Sequence, residues 1–231
     1  MTMKEQFSEQ TVFVNDFVSK VFGWMSFALL TTGLTSFLVS QSMDTVSFIV
    51  LNRPVFFGLI IIELGLVMLI SALINKISFS TAIVLFIIYS IVNGLTLSVI
   101  FLAYTMASIA STFIVTASTF GVMCVYGLVT KKDLTGVGSL LYMALFGLII
   151  ASIANLFLHN ETVYWIITYA GIIIFVGLTA YDAQKIKQIG ESSFAKTEQG
   201  KNLAVIGALQ LYLDFINLFL FLLRLLGKRR R

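Results

Sequence analysis

The chain has 231 residues, of which 58% are hydrophobic and only 11% are charged. Together with a mean hydropathy of +0.99, this composition excludes a water-soluble domain and predicts an integral membrane protein. The formal net charge of +4 does not indicate nucleic-acid binding, because Lys and Arg in a membrane protein mainly mark the loops that stay in the cytoplasm.

Seven stretches are long and apolar enough to cross a bilayer as helices, so we predict an all-α polytopic bundle. The predicted spans cover residues 21–40, 55–74, 79–104, 106–129, 137–158, 163–183 and 202–226. Residues 1–20 form a polar N-terminal tail without a cleavable signal pattern. Residues 21–226 form the transmembrane domain, and residues 227–231 form a basic C-terminal tail.

The distribution of basic residues predicts a cytoplasmic amino terminus. In that orientation the first three outer loops contain only Arg53, whereas the cytoplasmic segments contain nine lysines. Seven full crossings place the basic stretch from Lys228 to Arg231 outside, whereas a last segment that re-enters and returns keeps both termini inside. The unbroken apolar run from Leu203 to Leu226 favours seven crossings.

Three acidic residues lie within the predicted spans or at their ends: Glu63, Asp182 and Asp214. An ionised carboxylate in the middle of a bilayer costs roughly 2.5 to 3.5 kcal/mol on insertion scales, so such acids are candidates for a functional site. Asp214 lies near the middle of the seventh span. Gln210 and Asn217 share its helix face, which gives one polar stripe on an otherwise apolar helix.

Asp182 and Asp214 belong to consecutive spans, which usually pack together, so their side chains could meet. Counting residues from the loop places them at depths that differ by roughly 9 Å, an offset that helix tilt or an uneven loop could absorb. Alternatively, Asp182 pairs with Lys185 one turn further on. Glu63 is either a third acid along the same path or a buried group hydrogen-bonded to a neighbouring helix.

Two carboxyl groups that meet in a low dielectric should share a proton and titrate in two separate steps. The pair Asp182 and Asp214 would also offer oxygen ligands that suit Ca²⁺, with backbone carbonyls and water completing the shell. Two acids are too few for tight binding, and weak coordination is typical of a permeation site. We therefore expect Ca²⁺ as a permeant ion and no tightly bound cofactor.

The same residues speak against several other classes of membrane protein. Tyr181 and Asp182 match half of the motif pair of aspartyl intramembrane proteases, but Asp214 follows Leu-Tyr-Leu and not Gly-x-Gly. The last span has no lysine for retinal, and the single histidine, His159, lies in an outer loop. We therefore expect a protein that is not an enzyme. Arg224, near the end of the last span, is expected to extend toward the lipid headgroups.

Three stretches carry a family resemblance: Tyr89-Ser-Ile-Val-Asn-Gly-Leu-Thr-Leu-Ser98, residues 176–187 (Val-Gly-Leu-Thr-Ala-Tyr-Asp-Ala-Gln-Lys-Ile-Lys) and residues 207–224. Through them the chain resembles the bacterial branch of the Bax inhibitor-1 family over nearly its whole length. The resemblance implies six spans around a central last helix. It also implies a pH-sensitive calcium leak in the inner membrane, governed by an aspartate pair that Asp182 and Asp214 match.

The resemblance also implies an alternative function, a non-conducting membrane regulator that binds partner proteins such as membrane quality-control proteases. One feature departs from the family pattern. Some members are held shut by a basic residue in the second span, whereas here that span contains Glu63 and no Arg or Lys before Lys76. The expected partners are the lipid bilayer, calcium ions and other membrane proteins.

Overall fold

The computed structural model describes residues 3–192 and 197–230, and this part of the chain is almost entirely α-helical. The all-α prediction is therefore confirmed. The helices are α1 (Met3–Ser40), α2 (Met43–Leu51), α3 (Arg53–Leu73), α4 (Phe79–Leu97), α5 (Ile100–Ala103), α6 (Met106–Val129), α7 (Thr135–Leu158), α8 (Glu161–Glu191) and α9 (Glu198–Leu226).

In the described part of the chain, seven helical stretches are long and apolar enough to cross a membrane, as predicted. They are Val12–Ser40, Arg53–Leu73, Phe79–Ala103, Met106–Val129, Thr135–Leu158, Glu161–Glu191 and Gly200–Leu226. The last stretch is the most enclosed, with 67% of its most apolar window buried against 6% in the second and fifth. Its place at the centre of the other six stays a prediction.

Helix α1 begins at Met3 and continues without a break into the first span, although the sequence suggested a polar tail up to residue 20. The reason is an apolar stripe that extends into this tail, since Val14, Phe17 and Val21 are buried at helical spacing. On the polar face, Lys20 pairs with Asp16 one turn earlier at 2.6 Å. The mixed charges therefore belong to the exposed side of a helix.

Two further features were not predicted. A short helix, α2, lies between the first two spans, and its first turn is capped by Ser42, whose hydroxyl accepts from the Thr45 amide. The third span is divided into α4 and α5. At the break, the Ser98 hydroxyl donates to the Leu95 carbonyl at 2.6 Å, a local bond that competes with the helical ladder.

The described residues form two compact units. The first contains residues 3–104, 186–192, 197–212 and 230, and the second contains residues 105–185 and 213–229. Within the first unit, α4 packs against both α1 and α3. Asn202, near the start of α9, also ties this unit together, because its amide donates to the carbonyls of Ile74 and Ile77 at 2.8 and 2.9 Å.

Candidate functional site

The second unit contains both acids that the sequence singled out. Asp182 lies on α8 and Asp214 on α9, and their exposed fractions are only 1% and 4%. Their carboxyl groups are within hydrogen-bonding reach of each other. The structure therefore brings the predicted pair together in a buried position, despite the offset of roughly 9 Å that residue counting suggested.

A tyrosine that the sequence did not single out contacts the acid pair. The Tyr142 hydroxyl, on α7, lies 3.2 Å from both Oδ1 and Oδ2 of Asp182. The ring of Tyr142 packs edge-to-face against Tyr181, with 6.0 Å between ring centres. Asp182 therefore accepts a hydrogen bond from a neighbouring span, and this bond favours a carboxylate that still carries its charge.

Asp214 has a different environment. Its Oδ2 atom is buried and has no hydrogen-bond partner among the described residues. An ionised carboxylate can only accept hydrogen bonds, whereas a protonated one can also donate. A proton on Asp214 would therefore let this group donate to Asp182, and the pair would hold one proton between two buried acids.

The surroundings of Asp214 on α9 are apolar. The next residue, Phe215, packs against Phe113 and Phe120 of α6 with ring centres 5.5 and 5.3 Å apart. Cys124, further along α6, is also buried. Such a shell excludes water from the pair and strengthens every electrostatic interaction within it.

The backbone of α8 is held close to the neighbouring helices near Asp182. A Cβ atom on Gly127 of α6 would lie 2.1 Å from the carbonyl oxygen of Ala180, and one on Gly138 of α7 would lie 2.4 Å from the Tyr181 ring. A side chain at position 127 would force α6 and α8 apart, and one at position 138 would displace the Tyr181 ring, so glycine allows the close packing at both positions.

Gln184 fixes the connection between α6 and α7 against the same part of α8. Its side chain donates to the Lys132 carbonyl and accepts from the Leu134 amide, both at 2.8 Å. In this connection, hydrogen bonds from the hydroxyl and amide of Thr135 lower the pKa of the exposed Asp133. The Gln184 side chain thus pairs one backbone carbonyl and one backbone amide of the connection between α6 and α7.

Residues 14–231 match the family described as "Inhibitor of apoptosis-promoting Bax1". The chain belongs to this family. It is 48% identical over 215 residues to "Inner membrane protein YbhL" of Escherichia coli K12, an alignment that covers 93% of this chain and 92% of that protein. The resemblance stated from three stretches of sequence is confirmed.

Two further relatives extend the comparison within the Bax inhibitor-1 family. A protein of Borreliella burgdorferi is 45% identical over 97% of both chains. The protein RP147 of Rickettsia prowazekii is 40% identical over 93% of this chain and 90% of its own length. This family member is thus a membrane protein whose similarity to its relatives extends over the whole transmembrane region.

The electrostatic partner suggested for Asp182 in this family member is only partly observed. Lys185 attracts the Asp182 carboxylate electrostatically. In the described chain, however, the two groups form no ion pair, and the hydrogen bonds to Asp182 come from Tyr142. The alternative that Asp182 is simply one half of a helix-surface ion pair with Lys185 is therefore not what the structure contains.

Glu63 lies in the first unit, on α3, where it accepts from Asn93 at 3.1 Å and from Thr96 at 2.6 Å. Asn93 accepts in turn from Tyr212, and the Tyr212 hydroxyl lies 2.7 Å from that of Thr32. Glu63 is thus hydrogen-bonded to a neighbouring helix, one of the two roles considered from the sequence. That it lines an ion path stays a prediction.

The polar stripe on α9 is less connected than expected. Asn217 donates to the Leu213 carbonyl of its own helix at 2.8 Å, and Gln210 is half-buried. A supporting role for these two residues stays a prediction. The described residues also contain no cluster of three or more His, Cys, Asp or Glu side chains that could hold a metal. Any cation at Asp182 and Asp214 would need carbonyl or water ligands as well.

Proposed function

We propose that this Bax inhibitor-1 family member is a pH-sensitive leak for Ca²⁺ or a similar cation in the inner membrane. The observation that supports the proposal is the buried pair of carboxyl groups, Asp182 and Asp214, in a protein with seven membrane-spanning stretches. Acids at such positions are rare in membrane proteins, and they commonly mark ion or proton pathways.

The protonation state of the pair would control the leak. Two ionised carboxylates about 4 Å apart repel each other by about 4 kcal/mol at an effective dielectric constant of about 20. One shared proton removes this repulsion and adds a hydrogen bond between Asp182 and Asp214. Loss of that proton would separate the two side chains and create a negative site that attracts a cation, so the flux should rise with pH.

The chemistry of the pair favours a hard cation that binds weakly. Carboxylate oxygens suit Ca²⁺, but two acids without a third give a site that an ion can leave again. Because neither residue is more than 4% exposed, an ion can reach the pair only when helices move. The described arrangement is the closed form in this proposal.

The orientation belongs to the same proposal. The amino terminus lies in the cytoplasm, the last helix is central, and seven full crossings place the carboxyl terminus outside. The E. coli relative is named as an inner membrane protein, and we assign this chain to the same membrane. A topology reporter fused after Arg231 tests the outer position, and a cytoplasmic signal from that reporter would contradict it.

The leak is tested by measuring Ca²⁺ entry into proteoliposomes with wild type, Asp182→Asn and Asp214→Asn. Flux is measured between about pH 6 and about pH 8; wild-type flux should rise with pH as the coupled pair loses its proton, and both variants should lose this response. The matched control is Asp133→Asn, at an exposed acid outside the spans. Identical flux and pH response in all four proteins would reject the pair as the sensor.

The same experiment addresses the alternative function. A non-conducting regulator would show no flux in wild type or in any variant at any pH. If, in addition, the variants failed to retain a protein that co-purifies with wild type, the pair would act in partner binding and not in conduction.

A further inference from the structure

A second polar site lies in the second unit, where α7 ends and α8 begins. A cavity of about 440 Å³ opens there, and its lining includes Asn155, His159, Glu161, Tyr164 and Arg224. Asp182 and Asp214 are not among its lining residues. The cavity is therefore distinct from the acid pair of the proposed leak.

The group in this cavity that is best suited to bind an anion is the Arg224 guanidinium. It lies over two aromatic rings, 4.7 Å from the centre of Tyr164 and 5.3 Å from that of Phe221. Within the described residues it forms neither an ion pair nor a hydrogen bond. The rings thus orient a planar group whose N–H donors remain available, and such a fork matches the oxygens of a phosphate.

Glu161 lines the same cavity with the opposite charge. It is exposed, and no ion pair joins it to Arg224 in the part of the chain that is described. Two opposite charges that share a cavity without pairing can be satisfied by one ligand that carries both signs. A ligand with a phosphate alone would leave Glu161 opposed to a second negative charge.

The loop that bounds the cavity is held in place by its own hydrogen bonds. His159 ends α7 in the left-handed conformation with φ of 49°, and its amide donates to the Asn155 carbonyl at 2.9 Å. The Asn155 side-chain oxygen accepts from the Asn160 amide at 3.1 Å. The Asn155 amide nitrogen can therefore add a donor beside Arg224, at little cost in conformational entropy on binding.

Neighbouring residues place this cavity at the level of the lipid headgroups. Trp165 and Tyr169 follow on α8, with ring centres 6.2 Å apart, and both are exposed to the surroundings. Aromatic side chains of this kind concentrate at the membrane interface. On α7, Phe157 is 80% exposed, which suits contact with acyl chains beside a bound headgroup.

We propose that the cavity binds a phosphoethanolamine headgroup, with its phosphate on Arg224 and Asn155 and its ammonium group on Glu161. The phosphodiester accepts hydrogen bonds from the two donors, and the primary ammonium donates to the carboxylate. The site requires no ion flux through the acid pair. It stands or falls independently of the leak.

The test is lipid binding to the purified full-length protein, measured by native mass spectrometry. Phosphatidylethanolamine, phosphatidylcholine and phosphatidylglycerol with identical acyl chains are titrated in parallel. Choline keeps the phosphate and the positive charge but has no N–H to donate, and the glycerol headgroup has no cation. Wild type should bind phosphatidylethanolamine about tenfold more tightly than the other two, which is the effect of one charge-assisted hydrogen bond.

Two variants separate the parts of the site. Arg224→Gln should weaken all three lipids. Glu161→Gln should abolish the preference for phosphatidylethanolamine over phosphatidylcholine, and it should strengthen phosphatidylglycerol, because its phosphate then no longer faces a second negative charge. The matched controls are Arg53→Gln and Asp44→Asn, which alter an exposed cation and an exposed acid outside the cavity. Both controls should bind all three lipids as wild type does.

Competition with soluble glycerophosphoethanolamine distinguishes the two sources of this headgroup. No displacement assigns the site to the membrane lipid, and displacement at a comparable concentration assigns it to a free headgroup. Equal binding of the three lipids by wild type would overturn the proposal. So would a preference for phosphatidylethanolamine that survives Glu161→Gln, or its loss in either control.

Discussion

Tyr142→Phe should move the pH at which the proposed leak opens. The substitution removes one hydroxyl and leaves the ring that packs against Tyr181. The hydroxyl lies 3.2 Å from both oxygens of Asp182, which is long for an O–H···O bond, so the low end of the range for bonds to charged groups applies, about 1.5 kcal/mol. Its loss disfavours the ionised pair, and one pH unit corresponds to about 1.4 kcal/mol.

We therefore expect the midpoint of the Ca²⁺ flux to rise by about one pH unit in Tyr142→Phe, with the maximal flux at high pH preserved. The assay is Ca²⁺ entry into proteoliposomes over a series of pH values, fitted for midpoint and amplitude. Tyr126→Phe is the matched control, because Tyr126 lies on α6 with its ring exposed. An unchanged midpoint in Tyr142→Phe, or an equal shift in Tyr126→Phe, would refute the role of this hydrogen bond.

Two further substitutions test the packing around the pair. Gly127→Ala should lower the unfolding temperature in detergent, since overpacking costs about 1 to 3 kcal/mol. The control is Gly121→Ala on the same helix, where an added Cβ would have nothing within 4 Å and the unfolding temperature should not fall. Equal unfolding temperatures of the two variants would contradict the close approach of α6 and α8 at Gly127. Gln184→Leu should speed tryptic cleavage after Lys132 about tenfold by removing two hydrogen bonds from that connection. Gln41→Leu, at an exposed position, should leave the cleavage rate unchanged. A cleavage rate in Gln184→Leu equal to that of wild type would contradict the role of the two Gln184 hydrogen bonds.

The fold was largely predictable because bilayer thickness fixes the length of an apolar helix. The fourth span was predicted at residues 106–129, and helix α6 has these bounds. The errors arose where polar residues interrupt or precede an apolar run. At Phe17 a single buried face continues the helix through a mixed-charge segment, and at Ser98 a hydroxyl bond to the backbone ends it.

The sequence could predict that Asp182 and Asp214 lie close together, but it could not predict which side chains surround them. Charge in an apolar run identified Asp182 and Asp214, since an acid stands out in such a sequence. Tyr142 had no comparable signal, because tyrosine is common near membrane interfaces and its partner lies forty residues away along the chain. Its role follows only from the way α7 packs against α8.

The unpaired charges at Arg224 and Glu161 illustrate the same limit. The sequence placed Arg224 near the headgroups, as a residue that extends out of the bilayer. The rings of Tyr164 and Phe221 hold it over a cavity that the sequence did not predict. No local pattern reveals that Glu161, sixty-three positions earlier along the printed sequence, borders the same space.

The glycine contacts of α8 also decide which helix can shift when the acid pair changes its charge. At Gly127, main-chain atoms of α6 and α8 are in direct contact, and such a junction cannot slide without a clash. The contacts of α9 near Asp214 are made by phenylalanine rings, which can turn about their side-chain bonds. Asp182 thus lies on a helix, α8, that is held in place by α6. In the proposed leak, displacement of α9 near Asp214 is therefore the easier response to a second negative charge on the pair.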